Sequence, residues 1–149
     1  MTTLLERLTE DQKTAMRAKD SLRLDAIRMV RSALLNAQKA KDGDLTDADG
    51  SEVLAREVRQ RREAVEEGRK ANRSDIVERE EAGLSVVMAY LPEQLSRDDI
   101  AEAVKKIIAE VGAKGAGDRG RVMGKLMPTV RGKADGREVS EIVEKLLSQ

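Results

Sequence analysis

Between Ala113 and Arg137 the chain carries seven bases, Lys114, Arg119, Arg121, Lys125, Arg131, Lys133 and Arg137, against two acids, Asp118 and Asp135. Closely spaced glycines and Pro128 interrupt the same stretch. The whole chain is neutral, with 28 basic and 28 acidic residues. A one-signed surplus on a neutral background is a surface for anions, and nucleic-acid phosphate is the first such ligand. Short helix N-termini and glycine turns add backbone N–H groups that point at phosphate oxygens. A purely structural reading stands beside this one. Gly120 and Gly124, four apart, would let two helices approach closely, Gly132 and Gly136 would serve turns, and the bases would only keep a small domain soluble.

Other chemistry is thinly represented. There is no cysteine, hence no thiolate and no disulfide framework, and no histidine, the usual acid–base side chain near neutral pH. Gly115-Ala-Gly-Asp-Arg-Gly120 has the letters of a dinucleotide fingerprint but lacks the strand that must precede it. Gly124-Lys125 is no phosphate loop, because its glycine spacing is short and Leu126 stands where magnesium needs Ser or Thr. The carboxylates lie beside bases at helical spacing and none stands out as a metal cluster, so no cofactor and no catalytic residue is expected. Tyr90 is the only aromatic residue, which argues against a single-strand reader that stacks bases on rings and favours a structured RNA. No apolar run suggests a leader or a membrane span. A soluble cytoplasmic protein is the expectation.

The elements that must position these residues read as helices throughout, so the fold class is all-α. Thr3 with Glu6 has capping-box spacing, and a first helix should run to about Lys19. Asp20 or Ser21 caps a second, with Leu24, Ile27, Val30, Leu34 and Leu35 along one stripe and a break at Lys41–Asp44, where Gly43 suits the turn. Thr46 with Asp49 opens a long third helix to about Arg69. On it Glu52, Glu57 and Glu66 each stand four residues before a base, at Arg56, Arg61 and Lys70, which predicts a solvated, self-paired face. A fourth helix follows Asn72–Asp75 and stops before Pro92. Gly83 inside it implies close packing on a neighbouring helix. Ser96 with Asp99 caps a fifth, ended by Gly112; a sixth should span about Asp118 to Met127, and Asp135 caps the last. The Leu91–Ser96 break divides the chain into an N-terminal helical domain of about four helices, 1–95, and a three-helix tail, 96–149.

With these residues on the page, the chain resembles the GatB/YqeY family. The run from Gly120 to Pro128, Gly-Arg-Val-Met-Gly-Lys-Leu-Met-Pro, and the run Arg131-Gly-Lys-Ala-Asp-Gly136 with Val139 are similar to the C-terminal signature of that family. Upstream, Arg23 to Val30, Arg56 to Arg62 and Tyr90 to Leu95 also look like YqeY-type proteins, so the similarity covers essentially the whole chain. The resemblance implies a helical domain joined to a smaller three-helix tail. In GatB, the B subunit of the glutamine-dependent tRNA amidotransferase, similar domains hold the misacylated tRNA, while activation and ammonia production occur elsewhere. The family label of a carbon–nitrogen ligase with glutamine as amide donor is therefore not expected of this chain alone. Charge and resemblance together point to a non-catalytic tRNA or structured-RNA binder, with tRNA amidotransferase or an aminoacyl-tRNA synthetase as protein partners. Arg119, Arg121, Lys125, Arg131, Lys133 and Arg137 would contact phosphates, with Gly132 and Gly136 allowing close backbone approach. The alternative is an interaction adaptor that docks on a translation or amidotransferase complex.

Overall fold

The computed structural model describes residues 3–149. Its order is α1 (Leu4–Arg17), α2 (Ser21–Lys41), α3 (Asp47–Lys70), α4 (Ser74–Met88), α5 (Arg97–Val111), a 3₁₀ turn (Ala116–Asp118), α6 (Arg119–Val130) and α7 (Gly136–Leu147). The all-α reading holds.

The helix starts obey local chemistry. Thr3, Thr46 and Ser96 each accept the N–H of the acidic residue three positions on, whose carboxylate reaches back to the cap N–H. Each box satisfies two donors that the first turn would otherwise leave unpaired. Asp20 and Asp135 cap α2 and α7 from their side chains alone. Helix ends depart more from expectation. After α2 the left-handed residue is Asp42, at φ 58°, and not Gly43. Short polar side chains tolerate that conformation. Helix α6 runs on to Val130 with Pro128 inside its last turn. The proline removes one donor there, and the Thr129 hydroxyl donates to the Leu126 carbonyl.

The apolar stripes close into two clusters. The first gathers Leu8, Ile27, Val30, Leu34, Leu54, Val58, Val87 and Tyr90 from α1–α4 and the turn after α4. The second gathers Ile100, Val104, Val122, Leu126, Val130, Val139 and Val143 from α5–α7. No residue belongs to both. The two halves meet instead through charged side chains and backbone hydrogen bonds around the α6–α7 turn.

Helix α3 is the axis of the first half and packs on α4 and α2. Its face is self-paired in part, through Arg59 with Glu63 and Arg69 with Glu66, but not by the pairs that the Glu-to-base spacing predicts. Glu52 pairs with Arg131, Glu66 with Arg69, and Arg61 turns inward to Glu80 of α4. The three expected i,i+4 pairs give way to partners on other turns and helices, because an exposed pair of that kind stabilises by only about 0.2–0.5 kcal/mol.

Candidate functional site

The turn between α6 and α7 is built to dock. Gly132 is buried at φ 79°, and a Cβ there would lie 2.8 Å from the Ser51 Cβ on α3. Only glycine fits both the left-handed backbone and the close approach. Gly132 thus brings the turn against α3. Its carbonyl accepts from Gln94 Nε2 at 2.9 Å, and the Lys133 carbonyl accepts from the Leu95 N–H at 2.8 Å.

Beside that contact Arg131 spreads its guanidinium over two acids of α3. Nη2 donates to Asp49 Oδ1 at 2.8 Å and Nε to Glu52 Oε2 at 2.9 Å. The hydrogen bond that Arg131 donates to Glu52 leads in raising the Arg131 pKa above its ordinary value. Asp49 is also the acid of the α3 capping box and receives Lys41 Nζ at 2.7 Å. Lys41 first, then the N–H of Thr46, hold its carboxyl well below the usual carboxylate range. A second strut joins Asp135, buried at the start of α7, to Arg59 of α3, with Nε 2.8 Å from Oδ2. Burial opposes the charge on Arg59, and hydrogen bonding to Glu63 with the nearby Asp135 more than offsets it, so its pKa is raised.

The remaining predicted contacts lie on different sides of the tail. Arg119 leans on α7, with Nε 3.3 Å from Glu144 and Nη2 donating to the Ser140 hydroxyl. Arg121 pairs with Asp118 at 2.9 Å, Lys125 with Glu110 of α5 at 3.0 Å, and Arg137 with Glu141 at 3.4 Å. The N–H of Lys114 first, then Arg121, lower the Asp118 pKa, and Lys125 lowers that of Glu110. Lys133 is exposed and has no ion pair among the described residues. Gly136 opens α7 with only the Met127 Cε near its would-be Cβ, at 3.9 Å. Gly120 and Gly124 have nothing within 4 Å, so they do not serve a close helix approach. The local surplus of bases is thus largely answered by acids brought in from α3, α5 and α7.

Cations without an acidic partner collect elsewhere. Helix α2 carries five bases, Arg23, Arg28, Arg31, Lys39 and Lys41, against the single acid Asp25. Among the described residues only Lys41 of these five is ion-paired, and Arg17 and Lys19 just before α2 are also free of acids. A charge count taken helix by helix finds this surplus. A count weighted toward glycine-rich stretches passes over it.

Comparison with known proteins places the chain in a family. The family model described as Yqey-like protein matches residues 5–147. A protein of Pyrenophora tritici-repentis named "Altered inheritance of mitochondria protein 41, mitochondrial" is 31% identical over 147 residues, covering 97% of this chain and 81% of its own length. A protein of the same name from Lachancea thermotolerans is 35% identical over 107 residues, 70% of this chain and 57% of its own. One from Kluyveromyces lactis is 34% identical over 108 residues, again 70% of this chain and 58% of its own. These names overturn the expectation of a cytoplasmic protein, since the relatives are named as mitochondrial. The lack of a leader or membrane span had carried that expectation. No helix among the described residues is long and apolar enough to cross a membrane, a fact that does not distinguish one aqueous compartment from another. With a family model matched over nearly its whole length, the chain belongs to the Yqey-like protein family.

Proposed function

We propose that this chain binds structured RNA of the tRNA class through its phosphate backbone and performs no chemistry of its own. What supports the reading most is how the tail holds its cations. Arg119, Arg121, Lys125 and Arg137 remain about half exposed or more within their ion pairs, and Lys133 stands outside any. Exposed pairs of this kind contribute roughly 0–1 kcal/mol, so a phosphate can take the place of a carboxylate at small cost. The resemblance to the tRNA-holding part of GatB supplies the class of RNA. Arg131, Gly132 and Gly136 enter this picture as residues that set the tail's position, with the guanidinium of Arg131 still within reach of a ligand at the joint.

The test is the binding of labelled bulk tRNA across 50–200 mM salt. The parent is compared with Lys125→Gln/Lys133→Gln/Arg137→Gln, which leaves the Arg131 joint intact. Binding by the parent that weakens steeply with salt, and a shallower slope in the variant, support the reading. An absence of binding by the parent at the lowest salt overturns it.

A further inference from the structure

The outward face of α2 holds cations that no acid answers. Arg28, Ser32, Leu35 and Lys39 recur at helical spacing and are all exposed, while the opposite face buries Ala26, Ile27, Val30 and Leu34. From Arg28 to Lys39 the row spans about 16 Å of rigid helix. Arg31 lies at its edge, half-buried, with its Nε buried and without a hydrogen-bond partner. Arg17, Lys19 and Arg23 extend the charge around the α1–α2 turn. Acids stand nearby, Asp20 in the α1–α2 turn, Asp25 on the helix itself, Asp42 and Asp44 in a groove that Leu35 and Lys39 also line, and Glu57 of α3 across one that Arg28 and Met29 line, but among the described residues none forms an ion pair with these bases.

We propose that this face of α2, with the α1–α2 turn, is a second phosphate-contacting surface and the stronger of the two. The inference rests on the RNA-binding reading above. Between Arg119 and Arg137 each cation but Lys133 already has a carboxylate within 4 Å, so a phosphate gains only the difference between two anions. On α2 the same phosphate gains the whole interaction and releases its counterions. Three of the four unpaired bases on α2 are arginines, whose planar fork matches phosphate oxygens in pairs. The exposed apolar residues Leu22 and Met29 do not turn the surface toward a protein partner. Each of them, like the exposed Met16 and Leu35, has a base next to it in sequence or four residues along the helix. The Met29 sulfur is also within 3.8 Å of Arg61 Nη2, which ties it to the fold.

The experiment uses the full chain, fluorescently labelled bulk tRNA and anionic vesicles of phosphatidylglycerol with phosphatidylcholine. Arg28→Gln/Arg31→Gln/Lys39→Gln is compared with the parent and with the tail triple variant. The α2 variant is expected to lose at least tenfold in affinity near 100 mM salt, with the log–log salt slope lower by about two to three. The tail variant should lose less on both counts. Because Arg31 is half-buried, Arg28→Glu/Lys39→Glu serves as a second variant confined to exposed positions, and it should bind more weakly than either. An α2 variant that binds like the parent, or better than the tail variant, overturns the proposal and leaves the RNA reading standing. Failure of the parent to bind tRNA overturns both. Binding to the vesicles without binding to tRNA also overturns both, and assigns the face to a membrane surface.

Discussion

The guanidinium of Arg61 on α3 lies where a side chain on Gly83 of α4 would begin. A Cβ on Gly83 would come within 2.7 Å of the Arg61 Cζ, closer than such atoms approach. The glycine therefore makes room for a buried charge, since Arg61 is only 6% exposed. Its partners are thin for a group taken so far from water: Glu80 at 3.4 Å, the Met29 sulfur at 3.8 Å, and nothing for Nε.

That relationship predicts a change of sign. Gly83→Ala should destabilise the parent by about 1–3 kcal/mol, because the displaced guanidinium loses its contact with Glu80 while still buried. In an Arg61→Met background the same substitution should stabilise by up to about 1 kcal/mol, the ordinary gain of alanine over glycine inside a helix. Denaturant melts of the four proteins in the cycle measure the coupling directly. Equal effects in the two backgrounds would show that Arg61 is not why position 83 is glycine.

Gly83 also marks where the sequence runs out. Close packing at that position is legible, because a mid-helix glycine is costly without a reason. Its partner is not legible. Glu57 stands four residues before Arg61 and offers a local pair, yet the arginine turns inward to α4 instead. Helix starts are readable for the opposite cause: Thr3, Thr46 and Ser96 find their partners three residues on, within reach of any local rule. The tail's charge surplus fails as Arg61 does. The window around Arg131 and Lys125 holds two acids, but Asp49, Glu52, Glu110 and Glu144 lie outside it in sequence and against it in space.

At the joint, Gly132→Ala must force a left-handed backbone on alanine and push its Cβ into Ser51, whose Cβ cannot swing aside. The cost should be on the order of 1–3 kcal/mol, borne by the docking of the tail more than by either apolar cluster. The chain has no cysteine, so a pair of labels at Lys13→Cys and Lys145→Cys reports the distance between halves without background. In the Gly132→Ala protein that distance distribution should broaden while helix content holds. An unchanged distribution would mean that the Gln94 and Leu95 hydrogen bonds suffice to hold the turn.

The start of α3, where Asp49 sits beside that joint, should weaken in acid. The Asp49 carboxyl is held well below its usual value of 3.8, chiefly by Lys41. A group with a depressed pKa in the folded state contributes stability in full above its unfolded pKa. That contribution is lost as pH falls through the folded value. The gap in melting temperature between the parent and Asp49→Asn should therefore stay constant from neutral pH down to about pH 5. It should close steadily below pH 4. A gap as wide at pH 2 as at pH 7 would show that Asn fails for reasons of shape and not of charge.

The separation of the two apolar clusters carries the last prediction, which tests whether 1–95 and 96–149 are independent folding units. Ile100 is fully buried among α5–α7 residues and touches none of the first cluster. Ile100→Ala should cost about 2–5 kcal/mol through lost transfer energy and the cavity left behind. If the halves fold separately, native-state hydrogen exchange will quicken in α5–α7 while the amides of α2 and α3 keep their protection. The reason is that the joint between them is made of Arg131, Arg59 and a few hydrogen bonds, with no shared apolar core to transmit the loss. If protection falls equally in both halves, those polar struts couple the clusters into a single cooperative unit. Leu54→Ala, the mirror variant in the first cluster, would then lower protection in α7 by the same amount.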